Sequence, residues 1–468
     1  MSSPAQPVSV SEQSKVKRYI GIRPRVKRTA DGEARPTQLA ILDDAGLRTI
    51  ELPDEQSELD FVLGSFPMSY RKVLDGEDVL MFRRYHDHHI KRDSDGKPIE
   101  VPASFEGLRQ GDLVAMAMGG SGDCLAFALS RKGEDVGSQV ERITPFMLKS
   151  LRGEGAKDDD ASFLARLVSD RRELFTPVYV RDRKIVRVRE LQRLRIDVMK
   201  ARIGCEQRLR QRFIGEIFCS EAGLYPEGAI EKEFEAKKAS DKVLLPLVAE
   251  ENAAKRELEK AVHETDVWSE VLSRVEGLGP AIAARLISTI QDIRRFETAP
   301  KLKKYLGVHV RDEKGHFPRR RAGELAGWSN EGRQAIYLLL DQLNRRPGSE
   351  WGQKLLANKA HYQARYPHPH LVFTHEGQER TAVLTPGTFE KKGSKYILTI
   401  EDKLVTVTGK LRYYKGHIHK MALWKTGTEF VDWLFDAWWK LEKRAAAKPA
   451  APEASKAEEG AEGSQAVA

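Results

Sequence analysis

The chain has 468 residues, of which 40% are hydrophobic and 31% charged, too many for one ordinary core and enough apolar content for two or three. Lys and Arg number 78 against 69 Asp and Glu, a formal charge of +9, so where the charge falls matters more than its total. Three scattered cysteines without a Cys-x-x-Cys pair exclude a disulfide framework and a cysteine zinc finger. No apolar run is long enough for a bilayer, and the polar N-terminus lacks the apolar centre of a signal peptide. A cytoplasmic protein without membrane contact is expected.

Residues 1–16 read as a disordered leader. "YIGIRP", "QLAILDD" and "LRTIEL" are β-rich runs separated by the turn residues Asp31-Gly32 and Ala45-Gly46. A helix is expected from about Asp54 to Leu63, a buried strand over 112–118, and a helix in "GSGDCLAFALSRKG" closed by Gly133. "QVERITPF" reads as a further strand and "KDDDASFLARLVSDRREL" as a third helix. Three hairpin strands followed by helix, strand, helix, strand and helix is the order of a ribonuclease-H-like domain. It would occupy 17–180, with 64–110 as an insertion.

From 181 to 212 twelve Lys/Arg face four acids, and Leu191, Leu194, Val198, Ala201 and Cys205 keep 3-4-3-4 spacing. That pattern predicts a basic coiled coil within 181–265, with the helix over 185–213 building a homodimer or larger assembly. "EENAAKRELEKAVHETDVW" either returns antiparallel or joins the dimer.

"VEGLGPAIAARLI", residues 275–287, predicts two helices joined by a hairpin. Pro280 suits a first helical turn. Gly277 and Gly279 tolerate positive φ and let a ligand backbone approach. The amides of Ala281 and Ile282 then face an anion, with Arg285 one turn further on. This is the pattern of a helix-hairpin-helix, which binds DNA phosphates without reading bases. From 301 to 321 eight Lys/Arg stand against two acids, adding Lys301, Lys303, Lys304, Arg319, Arg320 and Arg321 as phosphate contacts.

Other groups have plainer readings. Ser329 in "GWSNEGR" caps the next helix. His86, Asp87, His88 and His89, and separately His368, His370, His417 and His419, offer metal-ligand chemistry, but nothing in the sequence gathers them. They read as surface or nucleic-acid-contacting histidines, and the metal assignment stays open. "KYILTIEDKLVTVTGKLRYY" predicts a β-hairpin within an insertion over 385–413, and Trp433, Trp438 and Trp439 are packing residues. Residues 445–468 are a low-complexity tail.

"VEGLGPAIAARLISTIQDIRRFETAPKLKKYLGV", "GWSNEGRQAIYLLLDQL", "YYKGHIHKMALWKTGTEFVDWLFDAWW" and "AKDDDASFLARLV" together resemble DEDD-type insertion-sequence transposases, relatives of the pilin-gene-inverting recombinases. The resemblance covers most of 19–440 and is strongest from 271 to 345. It implies a ribonuclease-H-like catalytic domain, a coiled coil and a C-terminal domain, 266–444, with a nucleophilic serine. It implies DNA as partner, with a structured RNA in some members, and nucleoid association. Four carboxylates would hold Mg²⁺. Carried over by position, the first acid falls on Arg23 and the second on Ala117. The last falls on Asp160 and the third on Lys157, or on Asp158 or Asp159 after a one-residue slip. "HVRDEKGHFPRRR" lacks a hydroxyl where the family is serine-rich. The expectation is an α/β plus α protein, a transposase-type DNA-binding chain degenerate in catalysis and needing no cofactor. The alternatives are an active recombinase using Mg²⁺, with Asp43, Asp44, Asp112, Asp158 and Asp160 as its candidate acids, and an RNA-binding scaffold.

Overall fold

A computed structural model describes residues 17–26, 34–74, 76–77, 79–153, 157–223, 228–309, 318, 327–400 and 403–447. The chain is a mixed α/β protein. The leader, the 445–468 tail beyond Ala447, the Asp31-Gly32 turn and Arg319, Arg320 and Arg321 lie outside the described residues.

Strands β1 (Arg18–Arg23), β2 (Thr37–Asp43) and β3 (Gly46–Leu52) form an antiparallel meander. Helix α1 (Glu55–Leu63) follows, capped by Asp54, whose side chain accepts from the Ser57 amide. Strands β4 (Phe66–Lys72), β5 (Lys91–Arg92) and β6 (Pro98–Glu106) make a separate sheet in the order β4-β6-β5. Strands β7 (Asp112–Ala117) and β8 (Gln139–Ile143) are parallel to β1 and flank helix α2 (Asp123–Val136). Helices α3 (Pro145–Arg152) and α4 (Asp160–Asp170) and the short β9 (Thr176–Pro177) complete a six-stranded sheet ordered β3-β2-β1-β7-β8-β9.

Three boundaries differ from expectation. Gly133 lies inside α2, and the left-handed Gly137, with φ 77°, ends it. The strand expected to run through Phe146 stops at Ile143, because Thr144 caps α3 and Pro145 fills its first turn. The helix expected from 157 starts at Asp160, after a 3-10 turn over Lys157–Asp159.

Gly21 matters most to the sheet's geometry. A Cβ there would collide with the backbone of Ala161, so α4 lies directly on β1. Arg18 is buried at the other end of β1, paired with Asp112 at 2.7 Å and Glu106 at 2.8 Å. Burial alone would disfavour its charge, but these two carboxylates raise its pKa instead.

Helix α5 (Val180–Phe218) carries the predicted seam. Helices α6 (Ile230–Ser240) and α7 (Leu244–His263) fold back along it, with ion pairs Arg210–Glu231, Arg202–Glu251 and Arg187–Glu257. Cys205, Leu209, Phe213, Phe234 and Leu244 pack together where α6 meets α5. Much of the apolar pattern is therefore satisfied within the chain, although Leu194 remains 44% exposed.

The remaining helices are α8 (Asp266–Glu270), α9 (Pro280–Ile290), α10 (Ala299–Tyr305), α11 (Asn330–Arg345), α12 (Glu350–Arg365) and α13 (Lys415–Ala447). They share one core with Ile185 and Val188 of α5 and Leu258 of α7. Trp438 is fully buried, Trp433 packs on Trp351, and the Trp439 indole donates to the Phe296 carbonyl at 3.2 Å. The predicted β-hairpin is larger than expected. Strands β10 (His370–His375), β11 (Gln378–Val383), β12 (Phe389–Lys392), β13 (Lys395–Ile400), β14 (Lys403–Val407) and β15 (Gly409–Arg412) form two three-stranded sheets around Leu371, Phe373 and Leu398.

A buried charge network fastens the six-stranded sheet to α5 and α9. Arg142 on β8 meets Asp123 at 3.3 Å, Asp292 at 3.8 Å and Asp182 at 3.9 Å. Arg294 pairs with Asp182 and Asp292, both at 2.8 Å, and Arg189 pairs with Asp123. Burial pushes the Asp292 carboxyl up, yet Arg294 and Arg142 outweigh it and hold the pKa below the usual range.

Candidate nucleic-acid interface and the carboxylate position

Residues 275–279 link the 3-10 turn Leu272–Arg274 to α9. The first helix is shorter than expected: α8 ends at Glu270, and a 3-10 turn, Leu272–Arg274, leads into the hairpin. Val275 and Leu278 are buried anchors, and the Leu278 amide donates to the Val275 carbonyl at 2.9 Å. Gly277 has φ 93°, the left-handed conformation a side chain would resist. Gly279 does not share it; it is the N-cap of α9 with φ −79° and no atom within 4 Å of an added Cβ. The two glycines thus have different roles, one conformational and one spatial.

The amides also divide. Ile282 and Ala283 both donate to the Gly279 carbonyl at 3.0 Å, so the Ile282 amide is used within the first turn. The Ala281 amide, like that of Gly279, makes no backbone bond within the described structure and is free for an anion. Its side chain, like that of Ile282, is only partly buried.

The charge around this hairpin is less general than the sequence implies. Of the twelve basic residues between 181 and 212, nine are paired with carboxylates among the described residues. The pairs reach α2 through Arg183–Glu134 at 2.8 Å and α13 through Arg181–Glu442 at 2.9 Å. Six of the nine join α5 to other elements and three lie within α5, so half of the basic run is cement between elements.

Arg195 differs. It makes no ion pair or side-chain hydrogen bond with the described residues, and its Nε is buried without a partner. Among the described residues Arg285 on α9 donates to Gln334 Oε1 alone, at 3.3 Å. Burial, then the positive charge of Arg195, lowers the Arg285 pKa, and Glu331 offsets this only in part. Two guanidinium groups thus repel each other across the α5–α9 contact with no carboxylate bonded to either.

The lysines of α10 divide between joints and solvent. Lys301 pairs with Glu297 at 2.5 Å and lies 4.5 Å from the Phe146 ring centre, while Lys303 pairs with Asp432 at 2.8 Å. Lys304 is exposed and has no ion pair among the described residues. Ser329 caps α11, accepting from the Gly332 amide at 3.1 Å. That bond uses its hydroxyl in helix architecture.

The positions carried over from the resemblance, Arg23, Ala117, Asp158 and Asp160, show no ligand set among the described residues. Gly21 and Arg23 share one face of β1, and Gly21 pairs in register with Ala115 of β7. Ala115 and Ala117 both pack on the side where α4 lies. Asp160 opens α4, one residue before the Ala161 that rests on Gly21. Arg152 Nη1 holds both Asp160 oxygens, at 2.6 and 2.7 Å, and Arg35 holds Asp158 at 2.5 Å. Arg23 Nε, Gln38 Oε1 and Arg152 Nε are buried without partners, and Gln38 is the residue paired with Arg23. A divalent cation does not fit this position: its carboxylates are held by arginines, Ala117 supplies no oxygen, and Arg23 brings positive charge.

The other acids considered for metal do not join it. Asp43 pairs with Arg48 at 2.5 Å, which holds its carboxyl below the usual range, and Asp112 is buried against Arg18 at the start of β7, the end opposite Ala117. Among the described residues, the one group of three side chains with metal-ligand geometry is Asp60, His88 and His89. His370 and His417 flank Tyr413 instead, with ring centres 4.9 and 5.5 Å from it, and His417 Nδ1 accepts from the Tyr413 amide.

Residues 269–319 match the sequence profile described as the Transposase IS116/IS110/IS902 family. The match begins in α8 and takes in the hairpin, α9 and α10. Over this segment the chain is a relative of insertion-sequence transposases. No curated protein matches the chain. Among the described residues no helix is long and apolar enough to cross a membrane.

Sequence reasoning missed Arg195 as a special residue, because twelve basic residues in one run look alike until their partners are known. It also missed Asp60, which lies 28 residues from the nearest histidine it contacts.

Proposed function

We propose that this chain is a transposase-type DNA-binding protein that has given up strand cleavage. DNA phosphate lies against the hairpin 275–279 and the start of α9, with Arg285 and Arg195 completing the contact. The observation that supports this reading is the pair Arg195 and Arg285, which among the described residues bond no carboxylate, with the charge of Arg195 disfavouring that of Arg285 at the helix that opens with Ala281. A phosphate would relieve their repulsion and restore the charge balance that nine neighbouring basic residues find within the chain.

The sheet order β3-β2-β1-β7-β8 supports reading residues 17–180 as a ribonuclease-H-like domain with an insertion. Residues 181–265 then form a basic arm through which copies associate, and 266–444 a helix-hairpin-helix domain with a β insertion. A structured RNA, if bound, would use the same phosphate chemistry. Loss of cleavage follows from Arg23, Ala117 and the arginine-held Asp158 and Asp160, and binding then needs no Mg²⁺.

The test is fluorescence anisotropy of wild-type and Arg195→Gln protein on unrelated duplexes, with Arg187→Gln as the control. Arg195→Gln is expected to weaken every duplex by about tenfold and reduce the salt slope by about one ion. Arg187→Gln should change little. The active-recombinase reading would return if Mg²⁺ or Mn²⁺ produced nicking that Asp160→Ala abolished.

A further inference from the structure

We propose that Asp60, His88 and His89 form a zinc site that fastens the inserted β-sheet to α1. Asp60 lies in the last turn of α1, and His88 and His89 lie in the 3-10 turn Asp87–His89 between β4 and β5. His89 Nε2 is 2.7 Å from Asp60 Oδ2, and His88 Nε2 is 3.2 Å from each Asp60 oxygen. The three ligand atoms lie within 4.8 Å of one another. A tetrahedral zinc with bonds of about 2.0–2.1 Å needs ligand atoms about 3.3 Å apart, a small adjustment from these separations.

The environment fits a cation. Asp60 and His89 are 4% and 3% exposed, and Asp60 pairs with no lysine or arginine among the described residues. A buried carboxylate whose side-chain partners are two imidazoles and the Gln56 amide lacks a permanent counter-charge. Two imidazoles with one carboxylate suit zinc and disfavour Mg²⁺, which takes oxygen ligands. The exposed side of His88 leaves a fourth position for water or for His86, whose ring centre lies 5.5 Å from that of His88.

The insertion also needs such a bond. Among the described residues between 64 and 110 the buried apolar side chains are Phe82, Val101, Pro102 and Leu108, and Leu108 belongs to the main core. A three-stranded sheet with so little to bury is the kind of module that metal stabilises.

Untagged full-length protein, stripped with chelator, should take up one tight equivalent of Zn²⁺ by calorimetry, with a rise in Tm. His88→Gln alters an exposed imidazole and should weaken that uptake by at least about tenfold while the apo protein keeps its Tm. Asp60→Asn should abolish it, and His417→Gln should leave it intact. No tight equivalent in wild type, or undiminished uptake in His88→Gln, would overturn the proposal. If Asp60→Asn does not fold, His88→Gln decides. DNA binding is read separately, so neither outcome depends on the hairpin.

Discussion

At Gly279 the space is open and the backbone is already ordinary, so a side chain there tests access to the hairpin without straining it. Gly279→Val should leave Tm nearly unchanged and weaken duplex binding by about ten- to a hundredfold, the loss expected when a charge-assisted hydrogen bond is blocked. Equal affinity in a folded variant would reduce the hairpin to a turn. Gly277 cannot serve this purpose, because φ 93° makes any substitution a folding defect first. Asp160 tests the other end. Its two bonds to Arg152 are largely shielded, so Asp160→Ala should lower stability in urea by about 1.5–3 kcal/mol. The same variant should bind DNA like wild type. Pairing it with Arg152→Met should recover part of the loss, because no buried cation would remain without its partner.

At the scale of elements, α5 is the instructive case. Its apolar spacing and its charge were both legible in sequence, but their partners were not. Cys205 packs where α6 meets α5, Leu191 packs against the helical core, and Leu194 is left 44% exposed. The seam expected between two copies is thus divided between intrachain contacts and a residual stripe. If that stripe still joins copies, Leu194→Glu should shift light-scattering mass toward the monomer without changing Tm. A wild-type monomer at micromolar concentration would end the idea of association. The strands β1, β2, β3 and β7 and the helix expected from about Asp54 to Leu63 followed from local pattern, since alternation and helical spacing are short-range signals. The six-stranded β10–β15 module was seen only in part, because β11 is polar and largely exposed and offers little alternation. The end of α2 was misplaced because a glycine within a helix resembles one that closes it. The carboxylate position was legible only by resemblance, since it unites residues 23, 117 and 160 across the sheet.

For the whole molecule, the network of Arg142, Arg189 and Arg294 with Asp123, Asp182 and Asp292 decides whether sheet and hairpin move together. Asp292 is held below its ordinary pKa of 3.8 in the folded chain. Its stabilising contribution is therefore present above that ordinary value and disappears as pH falls through the lower folded one. Below about pH 4 the junction should loosen, and limited acid proteolysis should cut near α5 before the core of the six-stranded sheet. Asp292→Asn, which keeps the shape and removes the charge, should show the same cleavage at higher pH. Unchanged cleavage across that range would place the junction's strength elsewhere.

The close seat of α4 on Gly21 carries a consequence for ancestry. No side chain can grow at residue 21 without lifting the helix, so the backbone frame holding positions 23, 117 and 160 is fixed by packing, independently of what those positions carry. Such a frame can outlast its chemistry. On the proposed reading, arginine at 23 and alanine at 117 stand where acids would while the strands keep their places, so cutting is lost in a few point changes and the architecture stays. The reverse route is equally short in substitutions: acids at 23 and 117 and release of Asp160 from Arg152 would rewrite the pocket without refolding the protein.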